Sequence, residues 1–205
     1  MAARRHPRRD PRPAPPQGPH GREALPPRTT ASVDSQSVDT TSGGEQRGRD
    51  NAKNVDGRKR PIVVDSLGLL LAVLVTAASV DDAAAAPALF ARLDGQPMGK
   101  VVRMYADSKY HNFRLYEWVD EHAKWDLVII RRPADKRGWV KLPIRWTVER
   151  TYAWLGRCRR LSKDREKSVR SSESFIKLAM IQLMLHRLEP SDVDPEFRYP
   201  RPVAA

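Results

Sequence analysis

Three carboxylates stand at places where a folded chain presents side chains for chemistry. Asp34 lies in Ala31-Ser32-Val33-Asp34-Ser35-Gln36-Ser37, Asp107 directly follows the run Val101 to Ala106, and Glu149 lies inside Arg145 to Leu155. Two carboxylates at strand ends, joined by a third from a helix, can hold a pair of magnesium ions, because magnesium takes a few hard carboxylate oxygens and keeps waters or substrate phosphate as its other ligands. Two such ions roughly 3.5–4 Å apart activate an attacking oxygen and stabilise a leaving one. Residue type alone does not make a site of them, since most acids on a protein are solvated surface charges. The elements that carry them decide.

Those elements can be read from apolar periodicity. Pro61-Ile62-Val63-Val64-Asp65 is a β-branched run after a charged loop and reads as a strand; Ser66-Leu67-Gly68 is a turn, and Leu69 to Thr76 is a second strand, so the pair forms a hairpin buried on both faces. Asp82 to Leu93 is alanine-rich and helical, Val101 to Ala106 is a strand, Asn112 to Glu121 has helical spacing, and Asp126 to Ile130 is a further strand. Arg145 to Arg160 reads as an amphipathic helix. A last helix, with a Ser171-Ser172-Glu173 start, runs to Leu188; its apolar arc is too wide for a surface helix, which places it under the sheet. The order of hairpin, helix, strand, helix, strand, helix, helix implies an α/β layer with a mixed sheet flanked by helices.

The ends differ from this middle. Residues 1–28 hold eight of the chain's 17 prolines and seven arginines against two acids, Asp10 and Glu23. So few large apolar groups cannot offset the entropy of ordering, and a disordered basic arm is expected there. The domain division is therefore an arm over 1–28, a catalytic domain over 29–188 and a C-terminal tail over 189–205. The longest uncharged apolar stretch, Leu67 to Val80, falls short of the ~20 residues a membrane helix needs, so no membrane partner is expected. A single cysteine, Cys158, excludes a disulfide framework and a cysteine-built zinc site, and the cytoplasm is the expected compartment. The formal net charge is +12 and the sequence pI about 10.2, which points to nucleic acid as the partner.

Several blocks carry a resemblance. They are Asp34-Ser-Gln-Ser-Val38, Gly57-Arg-Lys-Arg60, Val64-Asp-Ser-Leu-Gly-Leu-Leu-Leu71, Ala77-Ala-Ser-Val-Asp-Asp82, Ala106-Asp-Ser-Lys-Tyr-His-Asn112, Arg145-Trp-Thr-Val-Glu-Arg-Thr-Tyr-Ala-Trp-Leu-Gly156 and Arg159-Arg-Leu-Ser-Lys-Asp164. In this order they resemble the DDE transposases of bacterial insertion sequences, the group named after insertion sequence five. The resemblance implies a ribonuclease-H-like fold and metal-dependent DNA strand cleavage and transfer. It implies Asp34, Asp107 and Glu149 as the catalytic, metal-holding residues with Mg2+ or Mn2+. It also implies double-stranded DNA as the partner (element inverted repeats and target), a homo-oligomer that brings two ends together, and a place at the bacterial nucleoid. Arg145, one helical turn before Glu149 and on the same side, matches the arginine that precedes the family's glutamate and would hold a phosphate.

The remaining DNA contacts are assigned by charge. Arg150, Arg157, Arg159 and Arg160 make a basic face on the same helix and its exit, and Arg58, Lys59 and Arg60 read as a DNA-facing basic turn. Trp146 and Trp154 are read as core residues, Asp65 as a turn residue and His111 as a loop histidine outside the chemistry. The chain also departs from the family. Its proline-rich arm does not resemble the helical end-binding segment that usually precedes the first aspartate, Pro61 stands where a histidine is common, and Gly156 replaces a frequent lysine, with Arg157 adjacent. A truncated, non-catalytic DNA-binding remnant is the alternative reading. The charge makes one direct prediction. Affinity for duplex DNA, measured by fluorescence anisotropy, should fall steeply with added salt, since each neutralised phosphate releases counterions. Removing residues 1–28 should weaken binding without unfolding the domain. Salt-independent affinity would contradict the electrostatic reading.

Overall fold

The computed structural model describes residues 30–41, 43–94, 101–131 and 144–189. The arm over 1–28 and the tail beyond Glu189 lie outside the described residues. The elements are β1 (Thr30–Asp39), β2 (Gly48–Asp50), β3 (Val55–Asp65), β4 (Leu70–Val73), β5 (Thr76–Ala77), α1 (Asp82–Phe90), β6 (Arg103–Ala106), α2 (Phe113–His122), β7 (Asp126–Ile129), α3 (Arg145–Arg157) and α4 (Val169–Leu188). The strands form one mixed sheet in the order β2-β3-β1-β6-β7, with β4 and β5 also paired to β3. β1 runs antiparallel to β3 and parallel to β6, and β6 runs parallel to β7. A mixed sheet flanked by helices is the expected fold class, and it agrees with the ribonuclease-H-like fold that the resemblance implies.

Both faces of the sheet are covered. Ala31 and Val33 of β1, Val63 of β3 and Met104 of β6 pack with Leu89 and Phe90 of α1 and Leu115 and Val119 of α2. Ile62 and Val64 pack on the other side with Val148, Tyr152 and Leu155 of α3 and Ile176 and Met180 of α4. This explains the uninterrupted apolar run Ile62-Val63-Val64, since a strand buried on both faces has no polar side to show. Each of these three is completely buried, a contribution of about 1.5–3 kcal/mol apiece.

The expected hairpin is present, and its turn is tied to α3. Asp65 Oδ1 accepts hydrogen bonds from the amides of Leu67 and Leu69, both at 2.8 Å, so Asp65 is the turn residue read from the sequence. Gly68 has φ +78°, and a Cβ there would press on Thr151 Oγ1, which donates to the Gly68 carbonyl. Pro61 is tolerated because its carbonyl accepts from Leu74 at the break between β4 and β5, which is where its missing N–H would also point. The neighbouring Val75 amide is satisfied by the buried Glu173 of α4.

Three readings of the sequence are corrected. The segment before Pro61, read as a charged loop, holds the first half of β3, and the ten-residue strand β1 lies further upstream. α4 starts earlier than expected, capped by Ser168, whose Oγ accepts from the Ser171 amide. It packs through Ser172, Glu173, Ile176 and Met180 but leaves Leu178, Ile181, Leu185 and Leu188 exposed, so it is not wholly under the sheet. No helix among the described residues is long and apolar enough to cross a membrane.

The connection from α3 to α4 is locked to β3 by a buried ion group. Arg58 Nη1 lies 3.2 Å from Asp164 Oδ1 and Arg60 Nη2 lies 3.4 Å from Asp164 Oδ2. Arg58 also donates to the carbonyls of Glu45, Glu166 and Lys167, Arg60 donates to Leu161, and Ser172 Oγ donates to Asp164. Breaking a buried pair from one side strands an uncompensated charge and costs about 3–5 kcal/mol. Asp164→Asn should therefore lower unfolding free energy by that order in urea denaturation. A loss under about 1 kcal/mol, the range of an exposed pair, would contradict this role.

Candidate active site

Asp34 and Asp107 are brought together by the parallel pairing of β1 and β6. The last registered pair is Ser32↔Tyr105, and each aspartate sits two residues beyond it. Side chains alternate along a strand, so Asp34 shares the face of Ser32, toward α3, while Val33 and Ser35 turn toward α1. Asp107 leaves its strand into a short helical turn, Ser108–Tyr110, and caps it. In both aspartates one oxygen is tied down locally. Asp34 Oδ1 accepts from the Ser35 amide at 2.7 Å, and Asp107 Oδ1 accepts from the Lys109 amide at 2.9 Å. The two Oδ2 atoms are the ones that face α3.

α3 crosses that end of the sheet. Its N-terminal residue Ile144 has φ +69°, an uncommon conformation for a β-branched residue, and its carbonyl accepts a 3.4 Å bond from Ser32 Oγ of β1. Further along, the Tyr152 hydroxyl lies 2.8 Å from the Asp34 carbonyl and 2.6 Å from the Arg60 carbonyl, so α3 is bolted to the backbone of the aspartate itself. This docking aims Arg145 between the acids. Its Nη2 lies 3.7 Å from Asp34 Oδ2, 3.8 Å from Asp107 Oδ2 and 3.9 Å from Glu149 Oε1. One guanidinium nitrogen thus lies within ion-pair range of all three carboxylates, and no two of these three oxygens can be farther apart than twice that reach. Each distance is too long for a hydrogen bond. Arg145 Nε is buried and has no hydrogen-bond partner among the described residues.

The electrostatics of the cleft fall on Asp34. Its pKa is pushed up to about 6, first by burial and then by the Asp107 charge, against the Ser35 amide, Arg145 and Lys53, which pull it down. Glu149 is the most exposed of the three, with 56% of its side chain open to solvent. Among the described residues no group of three acids, histidines or cysteines is already drawn in to ligating distance. The donor set nevertheless suits a hard divalent cation: three carboxylates converge, and each aspartate directs an oxygen without a backbone bond at the common centre.

The basic residues divide. Arg58, Lys59 and Arg60, expected on the surface facing DNA, are 0%, 7% and 1% exposed, and the expectation is corrected: all three are spent on internal ion pairs and carbonyls. Arg150 lies between the rings of Trp146 and Trp154, at 4.1 and 4.7 Å, and donates to the Leu67 carbonyl, so it braces the hairpin turn. Arg160 pairs with Glu166 at 2.9 Å and covers the Phe175 ring. Arg157 and Arg159 are exposed at the exit of α3. His111 is exposed and bonds Tyr116, away from the acids. Lys53 and Tyr152 were not singled out in sequence. Lys53 acts from the β2–β3 turn, where no local signal marks it, whereas Tyr152 sits within the Arg145–Gly156 block.

Fold and cleft together define a mixed α/β domain with three carboxylates gathered around one arginine at the end of its sheet. The chain belongs to the transposase DDE domain family, whose match spans residues 25–184. It is also 31% identical over 143 residues to a protein of Burkholderia cepacia described as "Putative transposase for insertion sequence element IS402", an alignment that covers 66% of this chain and 66% of that relative. The chain thus spans a little under two thirds of the length of that relative.

The raised Asp34 pKa has a testable sign. An unfolded aspartate titrates near 3.9. Between about pH 4 and pH 6 the folded protein holds a proton there that the unfolded chain has released, so the contribution of Asp34 to stability falls as pH rises through that window and is constant above it. In urea denaturation, Asp34→Asn should gain on the wild type by roughly 2 kcal/mol from pH 4 to pH 6.5. A difference that does not change with pH would show that Asp34 is not desolvated.

Proposed function

We propose that the protein is a catalytically competent transposase, in which Asp34, Asp107 and Glu149 hold divalent metal for cleavage and transfer of DNA strands. The observation that carries this reading is the convergence of all three carboxylates on one nitrogen of Arg145. Mg2+ or Mn2+, when bound, supplies activation of the attacking water or 3′-hydroxyl and stabilisation of the leaving oxygen. The protein's part is to fix the acids and the phosphate. Asp34 and Asp107 are fixed by their amide-bound Oδ1 atoms, and Glu149 closes from the exposed side of α3. Asp34, with a pKa of about 6, is ionised at neutral pH and available as a ligand. Arg145, with its unpartnered Nε, offsets the negative charge of the acids and orients the scissile phosphate between them.

The partner is double-stranded DNA at element ends and target. Arg157, Arg159 and the basic arm hold its backbone, and two copies or more bring two ends together at the nucleoid. The test is nicking of a plasmid that carries the element's inverted repeats, with Mg2+ or Mn2+. The wild type should nick in a metal-dependent manner, and Asp34→Asn, Asp107→Asn and Glu149→Gln should each reduce nicking to background while keeping DNA affinity. DNA binding without nicking by the wild type would favour the non-catalytic remnant. Nicking that survives Asp107→Asn would remove the site.

A further inference from the structure

A fourth carboxylate lies behind the cleft, on the opposite face of the sheet. Asp82, the first residue of α1, is 4% exposed. It is not the cap of that helix; Asp81 is, accepting from the amides of Ala83 and Ala84. Asp82 instead turns inward. Its Oδ1 accepts from Ser35 Oγ at 2.6 Å and lies 3.1 Å from Lys59 Nζ, and its Oδ2 lies 3.8 Å from Lys109 Nζ. Lys59 is held in turn by the Val80 carbonyl at 2.6 Å. Two lysine ammonium groups and the N-terminus of α1 lie around its carboxylate and offset its charge.

The residues it grips are the two that hold the aspartates. Ser35 gives its amide to Asp34 Oδ1 and its hydroxyl to Asp82; Lys109 gives its amide to Asp107 Oδ1 and its ammonium to Asp82. One carboxylate therefore contacts both tethers from behind, the Ser35 hydroxyl by a hydrogen bond and the half-exposed Lys109 ammonium by a 3.8 Å ion pair, across the parallel pairing of β1 with β6. Structural burial of an acid would require a counter-ion, which Lys59 alone supplies. It would not require contacts to the residue after Asp34 and to the second residue after Asp107.

We propose that Asp82 is a positioning residue, which sets the spacing of Asp34 Oδ2 and Asp107 Oδ2 through Ser35 and Lys109. This rests on the metal-holding role of those aspartates. Outer groups that orient metal ligands change affinity by about 10–100-fold. The test is calorimetric titration of the full chain, without DNA, with Mn2+ alone, beside thermal melts of each variant. Asp82→Asn should weaken Mn2+ binding at least about tenfold. Ser35→Ala removes no charge and should also weaken it several-fold in a protein that still melts cooperatively, so a loss there cannot be long-range attraction. The Ser35→Ala, Asp82→Asn double variant should bind no more weakly than Asp82→Asn, because both act through one route. Wild-type Mn2+ affinity in folded Ser35→Ala overturns the proposal, and this variant decides the matter if Asp82→Asn does not fold. Absence of Mn2+ binding by the wild type, or binding unchanged by Asp107→Asn, overturns the metal-holding reading and this inference with it. Binding lost in Asp107→Asn but untouched in both Ser35 and Asp82 variants overturns this inference alone.

Discussion

The parallel pairing of β1 with β6 is the constraint from which the rest of the site follows. Parallel neighbours end on the same edge of a sheet, so two aspartates each placed two residues past the Ser32↔Tyr105 pair must emerge side by side. Register matters as much as direction. A slip of one residue would turn Asp34 from the α3 face to the α1 face. The slip is opposed by Ala31 and Val33, which would leave the core, and by the nine-residue antiparallel register with β3 from Ala31↔Asp65 to Asp39↔Gly57. α3 then needs only to dock across this edge, and Tyr152 fixes it there through the Asp34 carbonyl.

β3 carries a buried ion group on each face, and alternation along the strand produces both. Arg58 and Arg60 point toward α3 and α4 and meet Asp164; Lys59, between them, points toward α1 and meets Asp82. Buried charges of this kind cost much to desolvate, and a counter-charge with further hydrogen bonds offsets that cost. Here each group ties a helical layer to the strand next to β1. The frame thus reaches the cleft from both sides: from the α3–α4 connection through Asp164, and from the N-terminus of α1 through Asp82.

Much of this was legible in the sequence, and the rest was hidden for physical reasons. The apolar runs gave the hairpin, β6, β7 and the four helices, because burial on two faces or on one helical stripe writes itself into periodicity. Asp34 was expected at a strand end, but the residue pattern around it marked no strand where β1 runs. The buried positions of β1 include Thr30, Ser32 and Ser35 beside Ala31, Val33 and Val38, and the small polar members break the apolar run that marks a strand. Arg58-Lys59-Arg60 read as a DNA-facing turn because charge is local information, while the partners Asp164 and Asp82 lie far along the chain. The spacing of Arg145 and Glu149 placed them on one side of α3. Nothing local showed that a single arginine nitrogen would stand within reach of both aspartates as well.

The central claim is that Asp34, Asp107 and Glu149 form one cation-binding centre. Anomalous diffraction from crystals grown with Mn2+ tests it most directly. The expected result is an anomalous peak bound by Asp34 Oδ2 and Asp107 Oδ2, with Glu149 turned in toward it and Arg145 displaced from the centre toward the position of a phosphate. Anomalous density elsewhere on the protein only, with Arg145 still seated between the acids and Glu149 directed away from them, would contradict the account.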